Sequence, residues 1–134
     1  MNEFDLQIVT PDGICFDGKA QKIILRTTVS DVGILAKHAN YVAALSIGVA
    51  KVVTADGEKK AACSGGMLSV TDGVVRVVAS TFEWGENIDT ARAKRAKEKA
   101  QTRLDSTEKS EYEHNLAEIK LKKALARLSA SGKN

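Results

Sequence analysis

Near Ile88 the spacing of apolar residues changes from alternation to helical steps. Before that point, Leu6 and Ile8 alternate with Asp5, Gln7 and Val9, and Ile23 and Leu25 with Lys22, Ile24 and Arg26. Val52, Met67, Val70, Val75 and Val77 mark later runs of the same kind. Alternation places every second side chain on one face of a strand, which is the pattern of a half-buried sheet. Pro11-Asp12-Gly13, Asp17-Gly18, Asp56-Gly57 and Asp72-Gly73 separate the runs. Asp-Gly supplies the positive φ that tight hairpins need, so each predicts a turn between antiparallel strands. The spacing predicts a sandwich or flattened barrel of roughly eight to ten strands. A domain of under ninety residues buries about 60–65% of the surface its unfolded chain exposes. That suffices for folding alone but leaves little room for a deep substrate cavity.

From Asp89 onward Ala91, Ala93, Ala96, Ala100 and Leu104 recur at three- and four-residue steps, with Asn87 or Asp89 able to cap the helix they define. Asp105-Ser106-Thr107 interrupts, and Ser106 or Thr107 can cap a second helix. At 100° per residue that second helix has two apolar faces: Tyr112, Leu116 and Ile119 on one, Ala117, Leu121, Ala124, Leu125 and Leu128 on the other. One face can cover the first helix. The other needs the β domain or a partner protein. The chain is therefore expected to be α+β, mainly β, with a β domain over 1–86 and an antiparallel helical hairpin over 87–134.

Charge follows the same division. Residues 1–88 carry 8 basic and 10 acidic side chains, whereas 89–134 carry 12 basic and 7 acidic. Arg92, Lys94, Arg95, Lys97, Lys99 and Arg103 face only Glu98 in the first helix; the second opens with Glu108, Glu111, Glu113 and Glu118. An antiparallel fold about Thr107 sets these opposite signs together near the turn. At the open end it brings Arg92 level with Lys122 and Lys123, with Arg127 just beyond. Like charges about 6 Å apart repel by roughly 1–3 kcal/mol at effective dielectrics between about 80 and 20. A phosphate gripped by arginine, an acidic protein surface, or solvent and salt could each answer that charge.

Several function classes lose their footing. His38 and His114 have no metal-ligand spacing, and Cys15 and Cys63 are isolated, as buried thiols in a reducing compartment would be. No G-x-S-x-G, S-x-x-K, G-x-x-x-x-G-K-[ST] or G-x-G-x-x-G occurs, and Gly65-Gly66 reads as a bulge or a close strand approach. Aromatics for base stacking are lacking beside the basic residues, apart from Tyr112, which argues against nucleic acid. The best apolar run, Tyr41 to Ala50, is half the length of a membrane span, and the acidic N-terminus lacks a signal-peptide pattern. The expectation is a cytosolic, non-catalytic partner protein without direct membrane insertion.

Taken in order, the motifs resemble the ε subunit family of bacterial rotary F-type ATP synthases. The resemblance rests on Ile8-Val9-Thr10-Pro11-Asp12-Gly13, on Gly33-Ile34-Leu35 followed by His38-Ala39, and on Ser64-Gly65-Gly66. It rests most on Ile88-Asp89-Thr90-Ala91-Arg92-Ala93. It implies a flattened ten-stranded β-sandwich on the central-stalk γ subunit, touching the polar loops of the c-ring through the segment of Asp31 and His38. It further implies a mobile hairpin. Folded down it packs on the sandwich; extended along γ it reaches the α and β subunits and impedes ATP hydrolysis, with an acidic β-subunit surface meeting the basic tail. The implied location is the cytoplasmic side of the membrane, peripheral, in a proton- or sodium-translocating complex.

No cofactor is required by this resemblance, but ATP enters as a regulatory ligand. Carried over by position, Glu83, Ile88, Asp89, Arg92 and Ala93 would hold base and ribose, and Lys99, Lys123 and Arg127 the phosphates. Lys99 and Lys123 stand where arginines are expected; lysine keeps the charge without the planar fork, which predicts weak binding. Asp89 and Arg92 can equally cap and brace the helix start. Ala36-Lys37 replaces the usual Pro-Gly, and Met67 and Ser69 depart from the family pattern at the γ contact. A stand-alone ATP-sensing module and a small enzyme of unrecognised type are the competing classes.

Overall fold

In the structure, a computed structural model describing residues 2–132, alternation and turn chemistry produce eight strands. They are β1 (Phe4–Thr10), β2 (Gly13–Ala20), β3 (Lys22–Arg26), β4 (Asp31–Leu35), β5 (Tyr41–Ala44), β6 (Gly48–Thr54), β7 (Gly57–Thr71) and β8 (Val74–Trp84). Their order is β2-β1-β8-β7-β6-β3-β4, with β5 pairing with β7. Neighbours run antiparallel except β1 and β8, which are parallel. Eight strands rather than ten appear because β7 and β8 serve two layers. The first half of β7 pairs with β6 through Gly57–Cys63, its second half with β5 through Met67–Val70. Counted by layer, each layer holds five segments.

The bend between the halves falls at Gly65 and Gly66, whose φ angles are 67° and 100°. A Cβ on Gly66 would overlap the Val78 carbonyl oxygen. Of the two readings of Gly65-Gly66, the close strand approach is the one realised: the β7–β8 register runs unshifted across it. The Asp-Gly turns at residues 12–13, 56–57 and 72–73 join β1 to β2, β6 to β7 and β7 to β8. Asp72 itself takes φ 50°. Asp17-Gly18, expected to be a fourth turn, lies inside β2 instead. Lys37, at the Pro-Gly substitution, adopts φ 65°, so a turn forms here with a lysine in the left-handed region.

The inward residues of all layers meet in one core that includes Leu6, Ile8, Ile23, Leu25, Ile34, Val52, Leu68, Val70, Val75 and Val77. Each fully buried aliphatic side chain contributes about 1.5–3 kcal/mol. Met67 is an exception among the expected strand residues, being 45% exposed on the outer face.

After a 3-10 turn at Gly85–Asn87, α1 spans Thr90–Asp105 and α2 spans Glu111–Ser131. Asp89 caps α1, its carboxylate accepting from Arg92 N at 3.0 Å. The cap of α2 is Ser110, not Ser106 or Thr107; it accepts from Glu113 N at 3.1 Å. Ser110 and Glu113 have the spacing of a capping box, and Glu111 and Glu113 suit the positive end of the helix dipole. Arg103 pairs with Glu113 across the turn, which joins the basic end of α1 to the acidic start of α2 as expected.

Ala117, Ala124 and Leu128 are buried, and α1 offers Ala93 and Ala100. Leu125, expected on the buried face, is 43% exposed because α1 covers a narrower sector. The other face divides along its length. Tyr112, Leu116, Ile119, Ala126 and Ala130 lie within about 80° of one another on the helical wheel. Ala126 and Ala130 dock on the sandwich, whereas Tyr112, Leu116 and Ile119 overhang it and stay exposed.

Candidate functional site

Where α2 crosses the sandwich, a second apolar cluster forms from Ala62, Ile88, Ala93, Ala126, Leu128 and Ala130, with Ile47 and Val49 against it. Small side chains let the helix approach closely. At Gly85 the approach is backbone on backbone: a Cβ there would overlap the Ala130 carbonyl oxygen and lie 3.1 Å from that of Lys60.

Beside this contact lies a cavity of about 410 Å³, within the range of small-ligand sites. Ile47, Ala62, Cys63, Phe82 and Ala126 form its apolar wall; Thr10, Asp12, Ser64, Thr81, Glu83, Lys123 and Arg127 are its polar groups. Phe82 and Trp84 pack against the sandwich core, so Glu83 between them faces outward, under the last third of α2. Arg127 Nε donates to Glu83 Oε1 at 2.9 Å and its Nη2 donates to Oε2 at 3.3 Å. The two side chains are 25% and 38% exposed, so this fork is partly shielded from water. Cys63 is buried; burial first, and then the neighbouring Cys15 thiol, push its pKa up to about 11.

Three of the residues carried over as a nucleotide site thus meet at one cavity: Glu83, Lys123 and Arg127. Ile88 and Ala93 pack in the helix–sandwich cluster. Asp89 is occupied as the α1 cap. Arg92 and Lys99 are exposed on α1 and do not line this cavity. Among the described residues, the free cation at the wall is therefore Lys123, because the fork of Arg127 is held by a carboxylate. Of the other polar groups, Thr10, Asp12 and Ser64 stand in the sequence as parts of motifs without a site role, and Thr81 carries no sequence signal. Pro11-Asp12-Gly13 signalled a turn, and nothing in it signalled that the turn borders α2.

Asp31 opens β4 and sits 3.5 Å from Arg26 in an exposed ion pair. His38 follows β4; its Nδ1 lies 2.7 Å from the Ala39 carbonyl oxygen, and its ring meets Tyr41 edge-on at 5.8 Å. They flank β4 on either side, and neither lines the Glu83 cavity.

A further surface emerges from the strand register. Ala44 pairs with Met67, Met67 with Val78, Val78 with Val9, and Val9 with Ile14. These five apolar residues form one row across five strand segments on an outer face that α2 leaves open. Met67, Val78 and Ile14 are 45%, 47% and 65% exposed. An uncovered apolar row of this extent is a contact surface more often than a solvated one. Among the described residues, no helix is long and apolar enough to cross a membrane.

A sandwich with an open apolar row, carrying a helical arm docked mainly through small residues and, among the described residues, one ion pair, defines a subunit of a larger assembly. The chain belongs to the ATP synthase delta/epsilon chain family: residues 3–85 match its beta-sandwich domain and 86–132 its long alpha-helix domain. Similar proteins include the ATP synthase epsilon chain of an Exiguobacterium species, 41% identical over 130 residues and covering 96% of both chains. That of Ruminococcus albus is 40% identical, covering 99% of both. Among solved structures, a chain of the Euglena gracilis mitochondrial ATP synthase superposes with a TM-score of 0.85 at 26% identity. It matches 97% of this chain and 82% of its own.

Proposed function

We propose that this chain is the non-catalytic, regulatory subunit of the central stalk of a proton- or sodium-translocating F-type ATP synthase. It acts as a peripheral protein on the cytoplasmic side. The sandwich is the anchor: the row Ala44–Met67–Val78–Val9–Ile14 seats on the γ subunit, and the segment bearing Asp31 and His38 meets the polar loops of the c-ring. The hairpin is the movable arm, inhibiting hydrolysis when it leaves the sandwich and reaches the α and β subunits. The observation that carries this reading is the apolar row, which is continuous by strand register and uncovered by the chain's own helices. Co-purification with γ tests it. Val78→Lys and Met67→Lys place a charge on an exposed face, so folding should survive while γ affinity drops at least about tenfold. Undiminished binding by both variants would remove the row from the interface.

ATP is a second, regulatory ligand in this reading, bound weakly at the cavity beneath Lys123 and Arg127. Titration of ATP into the isolated chain, and into Lys123→Ala and Arg127→Ala, should show affinity lost in both variants. Binding indifferent to both substitutions would place the nucleotide elsewhere.

A further inference from the structure

From Ile119 to Gly132, α2 and its cap contain Lys120, Lys122, Lys123 and Arg127 and no acidic residue. The start of α1 adds Arg92, Lys94 and Arg95. Docking this end on the sandwich moves positive charge toward a less polar surface, which is unfavourable unless an anion meets it. Among the described residues, the anion that pairs with this end of the hairpin is Glu83. It reaches α2 from β8, 44 residues away in sequence, and engages Arg127 through both carboxylate oxygens. A fork on a carboxylate uses the same paired N–H donors as a fork on a phosphate.

We propose that Glu83 is an internal substitute for a ligand phosphate: it latches the hairpin to the sandwich without nucleotide, and any polyanion must displace it from Arg127. The inference rests on the reading of the cavity as an anion site and adds to it how that site is regulated. The hairpin of this chain closes by itself, and a phosphate-bearing ligand gains only the difference between its own contact with Arg127 and the one Glu83 already makes. Weak binding then has two causes. Lys123 lacks a fork, and the available fork is in use. The asymmetry of charge pairs supplies a signature. Removing one member leaves the other partly buried and unpaired, whereas removing both leaves two neutral side chains in contact.

The full chain allows the test by hydrogen exchange of the α2 amides, with the sandwich amides as an internal control of folding. In Glu83→Gln, the docked-to-free ratio of α2 should fall roughly five- to tenfold while sandwich protection is unchanged. The double variant Glu83→Gln/Arg127→Gln should recover to within about threefold of the parent. Sodium tripolyphosphate, which presents phosphates without base or ribose, should restore docking of Glu83→Gln and leave the parent chain unaltered. Unchanged α2 exchange in Glu83→Gln would overturn the latch, and tripolyphosphate protecting the parent as strongly as the variant would overturn the competition. ATP that protects neither protein would sink the nucleotide reading alone, since the latch is decided by the single and double variants.

Discussion

Gly85 has no room for a side chain, because the Ala130 carbonyl oxygen occupies the space a Cβ would need. Both opposing atoms are backbone, so no rotamer change relieves the clash. Gly85→Ala should lift the C-terminal turn of α2 and cost about 1–3 kcal/mol of docking, leaving the sandwich intact. Limited proteolysis, with faster cleavage in α2 and unchanged cleavage in the strands, checks this. Cys63 gives a pH-dependent counterpart. Its thiol is raised from 9.0 to about 11 by burial and by Cys15. Below pH 9 it is protonated whether the chain is folded or not. Between about pH 9 and 11 the unfolded chain releases the proton while the folded chain keeps it, so stability falls as pH rises. At about 1.36 kcal/mol per unit the loss is on the order of 2–3 kcal/mol. Urea unfolding at pH 8 and 11 should show this decrement in the parent chain, and Cys63→Ala should lack it.

The helices are specified by their ends more than by their apolar content. Each begins at a side chain that accepts from the third residue on, Asp89 from Arg92 N and Ser110 from Glu113 N. Asp89→Ala and Ser110→Ala should each weaken their own helix by about 1 kcal/mol, seen as faster amide exchange confined to its first turn. If Asp89 also held a nucleotide, its substitution would lower ATP affinity beyond what fraying explains. At the turn, Lys109 Nζ donates to the Leu104 carbonyl oxygen at 2.8 Å and also reaches that of Ser106, satisfying the C-terminal end of α1. The sandwich depends on none of this. Its core contains no residue of either helix. A chain ending at Ile88 should therefore still unfold in one cooperative urea transition, with strand-type circular dichroism and a smaller m-value than the parent. Loss of cooperativity would mean that α2 is part of the structural core.

The described residues form two units with unequal claims on stability: a sandwich closed over aliphatic side chains, and an arm held by a small cluster of alanines with Leu128 and Ile88, one glycine notch and one ion pair. That imbalance suits an arm that leaves while its anchor stays. The sequence determined the anchor nearly by itself, since alternation at Leu6 and Ile8 or Val75 and Val77 assigns an inward face, and Asp-Gly turns fix the neighbours. It missed where local signals compete. Asp17-Gly18 has turn chemistry but is carried through β2 by pairing with Gln7 and Leu6, and Ser106-Thr107 can cap a helix that instead starts after Ser110. The charge at the hairpin's open end was legible as well, with a phosphate, an acidic protein surface or solvent and salt all able to answer it. Which anion answers it was decided only by tertiary structure. Glu83 and Arg127 are far apart along the chain, and no periodicity within either element encodes their meeting. The same holds for Thr10 and Asp12 at the cavity and for the row from Ala44 to Ile14. Local interactions act within a few residues and leave a pattern in sequence; contacts between layers depend on register, bend and docking angle, which exist only once the chain has folded.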